Sequence, residues 1–349
     1  MIKNISINER KIGANFPPYI IAELSANHNG DIKKAYKLIE LAKKSGADAV
    51  KLQTYRSDTI TIDCDKPDFF ITEGLWKGRT LYELYEWAHT PWEWHDLLFD
   101  YAKRLGITIF SSPFDCTAVD FLEDLNAPAY KIASFEAIDL PLIKYTAGTG
   151  KPMIISTGMA NQEEILEAIN AARDGGCKDL AILHCVSGYP APSDDYNLST
   201  IPDMQTRFSV PVGLSDHTVN NITAIASVSL GASIIEKHIT LDRNGGGADD
   251  SFSLEPKELE ELCRASNIAW QALGEVDYGL KSSERGNMKF RRSLYFIKDA
   301  IEGELITSEH IKSIRPGFGL APKFIGDVIG RRLKTAVSKG ERVCLDLFL

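Results

Sequence analysis

Residues 31–53 read DIKKAYKLIELAKKSGADAVKLQ. Asp31 is a helix-starting residue, residues 31–45 carry helical periodicity, and Gly46 is a stop signal. A short apolar run follows, Ala49–Gln53, in which alternation puts Lys51 and Gln53 on one side and Val50 and Leu52 on the other. The same helix-and-run unit recurs along the chain. Apolar runs fall at Tyr19–Leu24, Ile107–Ser111, Ala129–Ala133, Met153–Ser156, Leu180–Cys185, Val212–Ser215 and Ile234–His238. Helix-period stretches at 92–105, 161–173, 219–230 and 256–273 stand among them, with Asn161 and Ser193 or Asn197 as starts and Gly106 and Gly231 as stops. Strands alternating with helices in this number predict an α/β fold, a parallel (β/α)8 TIM barrel, whose usual size is about 250 residues. A doubly wound open sheet holding a nucleotide would need a GxGxxG turn after its first strand, and Glu23–Gly30 is not one.

The pattern changes near residue 274. Residues 275–290 are polar and read as a linker, and 291–349 carry short runs at Ser293–Ile297, Ile311–Ile314, Arg332–Ala336 and Val343–Leu345, punctuated by glycines. The expected organisation is a barrel over 1–274, a linker over 275–290 and a small β-rich domain over 291–349. Roughly 60 residues bury little core, so that domain gains from docking onto something else.

The chain has 349 residues, 44% hydrophobic and 25% charged, with a net charge of −9. Such a balance leaves no diffuse basic surface for nucleic acid or an acidic membrane, so any bound phosphate needs a local cluster of cations and N–H donors. The six cysteines lie far apart with no CxxC pair, which suits free thiols in a reducing compartment. Residues 1–18 hold charged side chains rather than an apolar signal core, and no run of about 18 apolar residues occurs, so the expected location is cytoplasmic.

Barrel enzymes draw their chemistry from the C-terminal ends of strands. Nearly every run here finishes in polar residues: Glu23; Lys51 and Gln53; Ser111 and Ser112; Lys131 and Ser134; Ser156 and Thr157; Ser187; Ser215 and His217; Glu236 and His238. A lysine inside an apolar strand is costly unless paired. One alone reads equally well as a Lys–Glu brace; Lys51 and Lys131 together, beside serine hydroxyls, suit a phosphate-like anion. His217 and His238 end neighbouring strands, with Glu23 and Glu236 able to approach. Two imidazoles with the remaining positions left to water or substrate favour a catalytic Mn²⁺, Mg²⁺ or Co²⁺ over structural zinc. His89, His95 and His310 read as loop or surface residues. Asp249 and Asp250 follow three glycines, and the expectation is a mobile loop that brings a carboxylate to substrate hydroxyls. The long segment 54–90, with Trp76, Tyr82, Tyr85 and Trp87, is too aromatic for a linker and reads as a wall of the site, a satellite core, or both.

These residues resemble the sialic acid synthase family. The resemblance is carried by residues 23–30 (ELSANHNG), Lys51–Thr54, Ser111–Phe114, Tyr130–Ser134, Ser156–Met159, Gly213–Thr218 and Glu236–His238, and by Arg315–Gly319, which is similar to an antifreeze-like (SAF, β-clip) domain signature. Within the family, Leu24–His28, Gly74–Trp76, Thr80–Tyr85 and Ser251–Leu254 resemble the branch that acts on 6-deoxy sugars. The resemblance implies condensation of phosphoenolpyruvate with 2,4-diacetamido-2,4,6-trideoxy-L-altrose, giving pseudaminic acid and phosphate; a sialic or legionaminic acid synthase is the alternative. It implies that Lys51, Ser112, Lys131, Ser134, Ser156, Ser187 and Ser215 hold phosphoenolpyruvate. Gln53, Trp76, Tyr189, Glu236 and Asp249 would meet the sugar, and His217 and His238 a divalent metal, Mn²⁺ first. Glu23, then Glu136, are the candidates to activate water. It also implies a domain-swapped homodimer in which Arg315 of the partner subunit reaches the acetamido group. Trp76 departs from the polar residue usual in sialic acid synthases, and an indole face suits a deoxy methyl. Two other classes compete: a metal-dependent aldolase or isomerase on the same barrel, and a passive carbohydrate- or ice-binding protein.

Overall fold

A computed structural model describes residues 2–349. The chain divides into two compact units, the first running to Gly274 and the second from Glu275 to Leu349. The first opens with an antiparallel hairpin, β1 (Ile5–Ile7) and β2 (Arg10–Ile12). The barrel strands follow: β3 (Tyr19–Glu23), β4 (Ala49–Thr54), β5 (Thr108–Pro113), β6 (Tyr130–Ile132), β7 (Met153–Ser156), β8 (Leu180–Cys185), β9 (Val212–Ser215) and β10 (Ile234–His238). They are parallel neighbours in chain order, and β10 pairs with β3 to close the barrel. The expected runs match these strands to within two residues.

Helices alternate with the strands as the capping chemistry requires. Asp31 accepts from Lys33 N–H and opens Ile32–Ser45, which Gly46 ends at φ 91°. Asn161 forms a capping box with Glu164 at the start of Gln162–Asp174. The expected start at Ser193 or Asn197 is corrected: Ser193 opens a 3₁₀ turn, Asn197 is left-handed at φ 42°, and the helix is Thr200–Phe208. Helices Cys116–Asp124 and Leu140–Ala147, not among the stretches singled out in the sequence, complete the ring.

Alternation along each strand separates two cores. Val50, Leu52, Tyr130 and Ile132 face outward into the layer under the helices. Ile21, Ala49, Phe110, Ala129, Ile154 and Ile234 face inward, where Ile5, Ile7 and Ile12 of the hairpin join them and close the N-terminal end. Each of those isoleucines, at most 3% exposed, contributes roughly 1.5–3 kcal/mol by burial. Gly213 on β9 has no room for a side chain, since a Cβ there would lie 2.5 Å from the Ile234 carbonyl oxygen and 2.7 Å from Leu183. With the interior apolar below, the next layer up is where the polar side chains collect.

In the second unit, a 3₁₀ segment Ser282–Phe290 precedes the antiparallel pair β11 (Ser293–Phe296) and β12 (Ile311–Ile314). The runs at 332–336 and 343–345 do not form full strands; single bridges join Leu305 to Arg332, Ala300 to Val337 and Leu333 to Phe348. Leu294, Phe296, Ile306, Ile311, Val328 and Leu333 lie in this unit's own core. No helix among the described residues is long and apolar enough to cross a membrane.

Candidate active site

Above the apolar layer, β3, β4, β6 and β10 each contribute a charged side chain to the barrel axis. Lys51 Nζ lies 2.9 Å from Glu23 Oε2 and 3.6 Å from Glu236 Oε1. Lys131 Nζ lies 3.5 Å from the same Glu236 oxygen. All four are at most 4% exposed. Lys51 also donates to Ser112 Oγ at 3.2 Å, and Ser215 Oγ donates to Glu236 at 3.3 Å. Both weighed readings of the lysines therefore meet: they are paired with glutamates and surrounded by hydroxyls.

Burial and the ion pairs act on the four groups in different directions. Burial pushes the Glu23 carboxyl up, against the pull of Lys51, and the neighbouring Glu236 raises it further. Glu236 is held down: burial opposes ionisation, but Lys131 and Lys51 outweigh it. Lys51 is held up by Glu23 and Glu236 against burial, whereas burial pulls Lys131 down. Two lysines at the barrel axis beside serine hydroxyls are a donor set that suits an added anion.

The hydroxyls gather around Gly158. A Cβ on this glycine would fall 2.3 Å from Ser187 Oγ and 2.8 Å from Ser134 Oγ, and the Gly158 N–H donates to Ser134 Oγ at 3.2 Å. Ser156 Oγ, Ser187 Oγ, Glu136 Oε2 and Glu236 Oε2 are buried with no hydrogen-bond partner among the described residues. Buried polar atoms are normally satisfied, so several orphans in one place point to a polar ligand.

A cavity of about 180 Å³ opens at the mouth. Gln53, Ser134, Glu136, Tyr189, His238 and Asp249 line its polar side, and Tyr55, Trp76, Leu84, Tyr85 and Phe114 its apolar side. Burial raises Glu136 from the ordinary 4.5 to about 7 despite Lys131, and raises Asp249 to about 6 despite its hydrogen bond from Ser25. Gln53 Nε2 donates to Glu23 at 2.9 Å and to Ser25 Oγ at 3.1 Å. Asp249 and Asp250 are buried, not solvated: Asp250 accepts from Asn29 Nδ2 at 3.1 Å and Gly247 N–H at 2.7 Å, holding the glycine stretch in place. Segment 54–90 serves as both wall and satellite core. Tyr55 packs edge-on against Tyr85 and Phe114, while Trp76 packs on Tyr189 and donates its indole N–H to Ala248 O at 3.0 Å.

His217 and His238 have ring centroids 5.4 Å apart. His217 Nδ1 bonds the Val186 carbonyl at 2.8 Å, which leaves Nε2 bare, and His238 Nδ1 is buried without a hydrogen-bond partner, 3.5 Å from Asp249 Oδ2. Burial, followed by His217 and the lysines Lys51, Lys237 and Lys131, holds His238 far below the ordinary imidazole range. His217 is shifted the other way: against burial, it is raised by Cys185, the Val186 carbonyl and Glu236. Two imidazoles each with a nitrogen free of protein hydrogen bonds fit a divalent cation. Among the described residues no group of three or more His, Cys, Asp or Glu side chains forms a metal site, so the fit is to two imidazoles with other ligands supplied from outside.

Arg315 stands apart from these groups in the sequence, exposed and directly after β12 in the second unit. His95 corrects an expectation: it is fully buried, bonded to Thr54 Oγ1 at 2.8 Å. Ser25, Tyr55 and Phe114 are site residues that the sequence reading missed. Ser25 carried the clearest signal, standing two residues beyond Glu23 in the same motif.

A closed parallel barrel with buried lysines, orphaned hydroxyls and high-pKa carboxylates at its C-terminal mouth defines a (β/α)8 enzyme. Residues 38–278 match the NeuB family and residues 291–344 the SAF domain, and the chain belongs to the NeuB family. It is 44% identical over 323 residues to the pseudaminic acid synthase of Campylobacter jejuni strain 81-176, covering 93% of this chain and 94% of that one. To the pseudaminic acid synthase of Helicobacter pylori it is 43% identical over 318 residues, covering 90% and 93%. The crystal structure of the N-acetylneuraminic acid (sialic acid) synthetase of Leptospira borgpetersenii superposes with a TM-score of 0.74 at 31% identity, covering 83% of this chain and 97% of that one.

Proposed function

We propose that this chain condenses phosphoenolpyruvate with 2,4-diacetamido-2,4,6-trideoxy-L-altrose and water to give pseudaminic acid and inorganic phosphate, as a cytoplasmic enzyme. The observation that carries the reading is the pair of buried lysines at the strand ends, Lys51 on Ser112, together with the orphaned hydroxyls of Ser156 and Ser187 and a cavity walled by aromatic side chains. The identities to two pseudaminic acid synthases support the choice of sugar. So does Trp76, whose indole face suits a C6 methyl better than a C6 hydroxyl.

In this reading Lys51, Lys131, Ser112, Ser134, Ser156, Ser187 and Ser215 hold phosphoenolpyruvate by charge-assisted hydrogen bonds. Gln53, Tyr189, Glu236 and Asp249 orient the open-chain sugar so that its aldehyde carbon faces C3 of the enol. The C–C bond forms there, leaving cationic character at C2, and water adds at C2. Phosphate then leaves by C–O cleavage of the tetrahedral intermediate. The Glu236 carboxylate stabilises the cation electrostatically. Glu23 and Glu136 are the groups to take the proton of the attacking water, and a value near 7 suits Glu136 to that exchange. His217 and His238 would hold a divalent cation, Mn²⁺ first, which when bound supplies Lewis-acid polarisation of the sugar carbonyl.

We place Arg315 of the partner subunit at the acetamido group of the sugar, in a domain-swapped homodimer. The segments that follow β6, β7 and β9 leave Phe135, Ile138, Met159 and, at the start of the helix Ile222–Ser229, Ile222 57%, 63%, 65% and 74% exposed, and such an apolar rim favours cover by a second copy.

The test is phosphate release from phosphoenolpyruvate in the presence of Mn²⁺, with the diacetamido-trideoxy altrose beside N-acetylmannosamine. Release with the first sugar alone is expected. Release with N-acetylmannosamine alone would make the chain a sialic acid synthase, and no release with either would return the reading to an aldolase or isomerase.

A further inference from the structure

Lys237 stands where an apolar residue is expected. It lies on β10 between Ile235 and Ile239, both of which belong to the apolar layer under the helices, and it is 1% exposed. Its ammonium meets Asp216 Oδ2 at 3.1 Å, the Thr218 carbonyl at 2.5 Å and the Asn220 carbonyl at 2.9 Å. Asp216 is also 1% exposed, and it accepts from the Thr218 N–H at 2.9 Å and the Thr218 hydroxyl at 3.2 Å. One lysine thus fixes the whole turn 216–220.

The register explains what that turn is for. β9 and β10 pair Ser215 with Glu236, and the Asp216 N–H continues the ladder to the Glu236 carbonyl at 3.0 Å. Ser215 and Glu236 meet inside the barrel. Alternation then turns Asp216 and Lys237 outward and brings His217 and His238 back inward. The buried ion pair is therefore the outer-face counterpart of the histidine pair, one residue away from it on both strands. Replacing such a pair with apolar side chains of similar volume is often neutral or stabilising, so fold stability alone gives weak reason for it. Its geometric effect is specific, because His217 sits between two residues that the clamp holds and His238 follows the clamping lysine directly.

We infer that Lys237 and Asp216 are positioning residues that set the separation of His217 and His238 and thereby the affinity for a divalent cation. The inference rests on the reading of the two histidines as cation ligands. The test is Mn²⁺ binding to the chelator-stripped full-length chain, followed by loss of the free-ion electron paramagnetic resonance signal. Asp216→Leu/Lys237→Met is expected to keep the circular dichroism and melting temperature of the parent while binding Mn²⁺ at least about tenfold more weakly, the low end of what outer-shell partners are worth. Asp216→Asn, which leaves Lys237 its two carbonyls, is expected to fold in any case and to bind Mn²⁺ more weakly than the parent but more tightly than the double variant. Parent affinity in whichever of these variants folds would overturn the clamp. His238→Ala separates the two claims: unchanged binding in that variant overturns the ligand reading and the clamp with it, whereas loss of binding beside unchanged affinity in the clamp variants overturns the clamp alone.

Discussion

Glu136 lies half-buried on the turn after β6, with one carboxylate oxygen lacking any partner among the described residues. Burial raises it to about 7, so the folded chain favours the protonated form. The stability this gives is complete below its ordinary value of 4.5 and is lost as the pH rises through about 7. Glu136→Gln is therefore expected to stabilise the chain by about 2 kcal/mol more at pH 8 than at pH 5, measured by urea unfolding. The same substitution is expected to lower phosphate release and to remove the limb near pH 7 from its pH profile. Unaltered activity and profile would leave Glu23 as the group that handles the water proton.

Single glycines set tolerances at the scale of the strands. Gly213→Ala on β9 places a methyl within 2.5 Å of the β10 backbone, and the expected loss is about 1–3 kcal/mol by denaturant unfolding, as for overpacking elsewhere. Wild-type stability would mean that the barrel can widen at this seam. The barrel itself was readable because helix-period and apolar runs alternate over the whole first unit. The hairpin β1–β2 was not, since Ile5–Ile7 and Arg10–Ile12 are too short to show a period, and their turn uses Asn8 and Glu9 at φ 45° and 66° without a glycine. Helices of eight and nine residues, such as Leu140–Ala147 and Cys116–Asp124, escaped for the same reason. Strand-end chemistry was readable position by position. Its pairing was not: closure of the barrel decides that Lys51 meets both Glu23 and Glu236, and no spacing along the chain encodes that. His95 looked like a loop residue because only the packing of Trp92–Leu105 reveals that its side chain, with Leu98 and Ala102, faces inward.

The two compact units make the assembly testable at the scale of the whole molecule. If each site takes Arg315 of the partner subunit, a mixture of Arg315→Ala and Lys131→Ala chains forms heterodimers in which one of two sites is intact. Random reassortment then restores about a quarter of wild-type activity, measured as phosphate release. No recovery after subunit exchange would mean that each chain completes its own site. The hairpin at the start of the chain has a different consequence, which concerns synthesis. Its isoleucines pack against Ile234 on the last barrel strand, and the barrel closes only when that strand meets Tyr19–Glu23. At ribosomal rates of 5–20 residues per second, the first twelve residues wait roughly 10–45 s for their partners to be made. During that interval Ile5, Ile7 and Ile12 lack the apolar floor that buries them in the folded chain.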